Sequence, residues 1–130
     1  MYKFSVQTYQ LTIIVEQPAK IQLGKLGRYI FQEGCYVYTG SAKRNMITRV
    51  TRHLSSPHKK LHWHIDYFLA HKFVRIVNVQ FNAKAECRLN QECAGEIPVP
   101  GFGSSDCKQS CNSHLKFFPH HLTKNAAGLF

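Results

Sequence analysis

Acidic side chains are scarce in this chain. Seven Asp and Glu stand against seventeen Lys and Arg over 130 residues, a formal charge of +10. The cationic excess favours a polyanionic partner, because each phosphate neutralised by a basic side chain releases condensed counterions. Long apolar runs are missing too: nothing approaches the ~18 residues of a spanning helix. Met1 to Gln10 is too polar for a secretory signal, and no long basic amphipathic helix with an aromatic face suits an anionic membrane. A soluble, cytoplasmic protein without a membrane partner is expected. The cysteines are Cys35, Cys87, Cys93, Cys107 and Cys111, an odd number that argues against a disulfide framework. Internal repeats and low-complexity segments are absent.

What is present suffices for one core. The apolar fraction is 44% and the charged fraction 18%, so one folded domain over residues 1–122 is expected, with a small polar tail at 123–130. Phe4 to Glu16 is rich in β-favouring residues and reads as a long strand. Ile21 to Phe31, punctuated by Gly24 and Gly27, reads as a turn and a returning strand, and Gly34 to Gly40 as another, so the first forty residues read as an antiparallel meander. Ser41 is a plausible N-cap for a helix with Ile47, Val50, Thr51 and Leu54 on one face, stopped before Pro57. His62 to His71 predicts a second helix, Phe73 to Phe81 a strand, Ala83 to Ala94 a third helix closed by Gly95, Ile97 to Gly103 a loop, and His114 to Phe118 a last short strand. The fold class that follows is α+β (mixed α/β), a small three-stranded antiparallel sheet flanked by helices, with an added N-terminal hairpin and a C-terminal extension.

Several residues carry chemistry. Arg49 and His53 are four apart on the first predicted helix and project from one side, where a guanidinium fork can hold a phosphate and an imidazole can accept a proton. Taken alone such a pair is usually a solvated helix face. Between Lys43 and Lys60 lie Lys43, Arg44, Arg49, Arg52, Lys59 and Lys60 without one acid, a stretch suited to nucleic acid. Glu86 lies near the start of the third predicted helix; a lone carboxylate can anchor Mg²⁺, which keeps several waters, and a glutamate there also suits the helix dipole. His62-Trp63-His64-Ile65-Asp66 is dense in polar groups that point apart on a helix, so it supports packing, with Trp63 in the core and Asp66 within reach of His62. Cys107, Cys111 and His114, completed by Cys87 or Cys93, form a loose zinc pattern whose alternative is buried structural thiols.

Tyr36-Val37-Tyr38-Thr39-Gly40-Ser41-Ala42, Arg49 to Leu54, His62 to Tyr67, Glu86-Cys87, Phe102 to Cys107 and Ser113-His114-Leu115 together resemble the Uri family, small proteins classed with the GIY-YIG nucleases. The resemblance spans roughly residues 5–118. It implies catalytic roles for Tyr9, Tyr38, Arg49 and His53, a motif glycine at Gly40, and a Mg²⁺- or Mn²⁺-binding Glu86. Gln7 stands where the superfamily usually has glycine, and Cys107 and Cys111 are farther apart than the usual pair. The expected function is metal-dependent hydrolysis of a nucleic-acid backbone, DNA favoured over RNA. The alternatives are a catalytically silent nucleic-acid-binding module and a zinc-stabilised interaction domain. So small a domain leaves little surface for sequence readout, so a homodimer or a separate targeting partner is expected to supply it.

Overall fold

The structure is a computed structural model that describes residues 7–41, 46–54, 63–103 and 113–118. Strand β1 (Thr8–Val15) pairs antiparallel along its whole length with β4 (Gly34–Ser41), from Thr8 opposite Ser41 to Val15 opposite Gly34. Strand β5 (Val74–Asn82) lies antiparallel on the other side of β1, and β6 (Leu115–Phe118) pairs with β4. The sheet order is β5-β1-β4-β6. Strands β2 (Ala19–Gln22) and β3 (Arg28–Phe31) form a separate hairpin between β1 and β4.

The class is α+β, as expected, with two corrections. The main sheet has four strands, because Leu115 and Phe117 sit opposite Tyr38 and Tyr36 and bury against the same core. The first forty residues are no simple meander, since β1 bonds directly to β4 and the hairpin leaves the sheet. Strand β1 is central and covered on both faces, which is why its sequence alternates only partially.

The strand register divides the side chains between the faces. Tyr9, Leu11, Ile13 and Val15 share one face with Gly40, Tyr38, Tyr36 and Gly34. Three helices flank the sheet: α1 (Met46–Leu54), α2 (His64–Leu69) and α3 (Glu86–Glu92). Phe68 of α2 joins Phe31, Tyr36 and Phe102 in an aromatic cluster, with ring centroids 4.7, 5.4 and 6.0 Å from its own. Phe102 is fully buried although it lies in the expected Pro-Gly loop. Positive φ at Gly101 and Gly103 turns that segment inward. Burying such a ring contributes about 1.5–3 kcal/mol. On the opposite face the Lys116 ammonium donates to the carbonyls of Asn90 and Cys93, both at 3.0 Å, and ties β6 to the C-terminal end of α3.

The buried stripe of α1 differs from the expected one. Val50 and His53 face inward, whereas Thr51 is exposed and Leu54 is 57% exposed. Hydrophobicity alone puts Leu54 in the core; a buried polar bond made by His53 decides otherwise. Ser41 is the last residue of β4, and residues 42–45, which would follow it into the expected helix, lie outside the described part. Among the described residues no helix is long and apolar enough to cross a membrane.

Candidate functional site

Tyr9 on β1 and His53 on α1 meet in the interior. The Tyr9 hydroxyl and His53 Nε2 are 2.7 Å apart, and the two side chains are 2% and 1% exposed. A buried hydroxyl and imidazole that satisfy each other avoid the cost of desolvation without a partner. Tyr38 on β4 completes the group, its ring centroid 6.2 Å from that of His53 and 6.4 Å from that of Tyr9.

Gly40 explains how the tyrosine fits. It is the cross-strand partner of Tyr9, whose ring lies over it. A Cβ at position 40 would run into the ring and come within 2.5 Å of its hydroxyl. The ring is enclosed and bonded to His53, so it has nowhere to move. Gly40→Ala is therefore expected to destabilise the fold by about 1–3 kcal/mol, the usual cost of overpacking. Urea denaturation of the variant checks this; wild-type stability would contradict the close approach.

A second polar pair borders the first. Asn90 Nδ2 donates to the Ser113 carbonyl at 2.7 Å, His114 N–H donates to the Phe102 carbonyl at 2.8 Å, and Thr39 N–H donates to the His114 carbonyl at 2.9 Å. Pinned from three elements, the His114 imidazole is buried, with Nδ1 2.6 Å from Glu86 Oε2 at the start of α3. Gly103 joins the pairs: a Cβ there would be 3.1 Å from the Tyr38 ring and 3.4 Å from His114 Cβ. Glu86 keeps 27% of its side chain exposed. Hard carboxylate oxygen is the donor Mg²⁺ or Mn²⁺ prefers, so Glu86 fits a single divalent ion.

Asp66 is a different kind of acid. It is fully buried and takes a two-pronged bond from Arg52, at 2.7 and 3.0 Å, and a third from Trp63 N–H at 2.8 Å. The Arg52 guanidinium also lies 5.1 Å from the centroid of the Trp63 ring. Arg52, expected to contact nucleic acid, is thus committed to Asp66. His62, expected within reach of Asp66, lies outside the described residues. Trp63 is half-buried at the edge of the core rather than inside it. Sequence spacing did not reveal the Arg52–Asp66 pair, because its members come from different helices.

His64 shows a pH effect with a physical cause. Its Nδ1 accepts the Gly103 N–H at 2.9 Å, and burial lowers the imidazole below its ordinary pKa of 6.5. The folded chain therefore holds His64 neutral. Below pH 6.5 the unfolded chain takes up a proton that the folded chain refuses until its own lower pKa is reached. Stability is present above that window and lost through it as pH falls. His64→Asn, whose side-chain oxygen can take the place of Nδ1, is expected to reduce the acid loss; thermal melts at pH 7.5 and 5.5 measure it.

Of the remaining predicted positions, Arg49 lies in α1 four residues before His53, and its side chain is outside the description. Lys43, Arg44, Lys59, Lys60, Cys107 and Cys111 also lie outside the described residues. Cys87 follows Glu86 on α3 and is half-buried. Burial raises the thiol pKa values of Cys35 and Cys93. Among the described residues no group of three or more His, Cys, Asp or Glu is arranged to hold a metal.

A family model described as domain of unknown function DUF123 matches residues 8–129, nearly the whole chain. No curated protein and no solved structure matches it. The chain belongs to the DUF123 family.

Proposed function

We propose that this member of the DUF123 family hydrolyses the phosphodiester backbone of nucleic acid, DNA before RNA, by a one-metal reaction of the GIY-YIG type. The observation that carries the reading is the buried Tyr9–His53 bond beside Tyr38, with the Tyr9 ring laid over Gly40. Tyr9 comes from β1, Tyr38 and Gly40 from β4 and His53 from α1, and they meet on one face of the sheet. The likeness of the quoted motifs to Uri proteins and GIY-YIG nucleases adds support, as does the charge of +10.

In this mechanism the Tyr9 hydroxyl accepts the proton of the attacking water as it gives its own to His53 Nε2, so that the imidazole carries the proton and the charge, and Tyr38 orients the water. The new P–O bond forms as the bond to the leaving oxygen breaks. Arg49, one helical turn before His53, stabilises the charge that gathers on the phosphate. Glu86 would hold a divalent cation, which would supply neutralisation of charge at the scissile phosphate. The His114 contact fixes the direction of the Glu86 carboxylate.

A second reading, a nucleic-acid-binding module without catalysis, is favoured by one observation. Tyr9 and His53 are almost fully enclosed, which limits access of water and phosphate to them. Purified protein incubated with labelled single strands, duplexes, flaps, nicked and branched DNA, and RNA tests the choice. Cutting with Mg²⁺ or Mn²⁺ that EDTA stops supports hydrolysis. Salt-sensitive binding with no cutting of any substrate favours the module.

A further inference from the structure

Beside the candidate site, on the far side of His53, an open groove of about 410 Å³ runs between the ends of α1 and α2 and strand β5. That volume is within the range of ligand-binding pockets. Leu54, Leu69 and Ile76 give it an apolar lining, Lys72 and Arg75 bring positive charge, and His53 closes one end. No acid is among the lining residues. Arg75 also bonds through Nε to Glu16 at 2.6 Å, an exposed ion pair, and the Lys72 ammonium lies 5.3 Å from the Phe73 ring centroid. Leu54 is the large apolar side chain that α1 turns outward, and it has no role in the core.

An apolar lining with a cationic rim matches one nucleotide of a single strand: a flat base to cover Leu54 and Leu69, and an anionic phosphate for Lys72 and Arg75. A membrane or peptide partner has no comparable feature to explain the placement of His53, which lines this groove and bonds Tyr9 in the candidate site. We infer that the groove seats one unpaired nucleotide beside His53, so that the nucleic acid this protein binds is single-stranded or carries a single-stranded branch. The inference rests on the nucleic-acid reading above, though not on hydrolysis.

Fluorescence anisotropy with a labelled oligothymidylate in EDTA tests it without any cutting. Leu54→Asp and Lys72→Gln alter exposed side chains, so both variants are expected to fold, and thermal melts verify it. Leu54→Asp is expected to weaken binding about tenfold. Lys72→Gln is expected to lower the slope of log affinity against log salt by about 0.7, one phosphate contact on a single strand. A strand with abasic units is expected to bind the wild type weakly and to be indifferent to Leu54→Asp. Wild-type affinity and salt slope in both variants, or no binding of the strand by the wild type, would overturn the assignment. Displacement of the strand by micromolar thymidine monophosphate would overturn it in favour of a free nucleotide. Metal-dependent cutting with unaltered variant binding removes the groove alone; weakened variant binding with no cutting removes hydrolysis alone.

Discussion

Arg52→Met is expected to destabilise the protein by about 3 kcal/mol, the lower end of the 3–5 kcal/mol typical when one partner of a buried ion pair is removed. Asp66 is fully buried and loses both guanidinium bonds while it keeps the Trp63 N–H. The lower end applies because Arg52 itself is 29% exposed, so water reaches the rim of the pair. For a chain of this size the melting temperature should fall by about 10 °C. The double variant Arg52→Met with Asp66→Leu should regain most of the loss, because it leaves no charge uncompensated. Thermal and urea denaturation of the three proteins check this. Loss below about 1 kcal/mol in Arg52→Met would mean that the guanidinium is available to nucleic acid after all.

Glu86→Gln is expected to lower the cleavage rate at least about a hundredfold, since the carboxylate is the group that fits the divalent ion and such an ion is worth several kcal/mol at a phosphoryl centre. The amide keeps the size of the side chain and can still meet His114 Nδ1, so the fold should persist. The loss should therefore lie in the rate and leave nucleic-acid binding nearly unchanged. Glu86→Ala would remove the His114 contact as well and mix the two effects.

The order of strands and helices was legible because it rests on local patterns: β-branched runs, glycines at turns, apolar spacing. The close approach of Tyr9 to Gly40 gives the motif glycine a steric reason that sequence alone does not supply. What escaped depends on contacts between distant elements. His53 was expected off the apolar face of α1, and the Tyr9 hydroxyl draws it inside and leaves Leu54 out. The bond from Arg52 on α1 to Asp66 on α2 joins two helices and has no signature in local spacing. The approach of His114 to Glu86, in a position set by Thr39, Phe102 and Asn90, joins elements far apart in the chain. Strand β6 was read as a short strand but not as the fourth member of the sheet, because its partner, β4, lies more than seventy residues earlier.

Cleavage of a flapped DNA by the wild type and by Glu86→Gln, each with Mg²⁺ and with EDTA, bears most directly on the proposed chemistry. The mechanism predicts cutting by the wild type with metal alone, and at least about a hundredfold slower cutting by Glu86→Gln under the same conditions. Equal rates for the two proteins, or cutting that persists in EDTA, would contradict it.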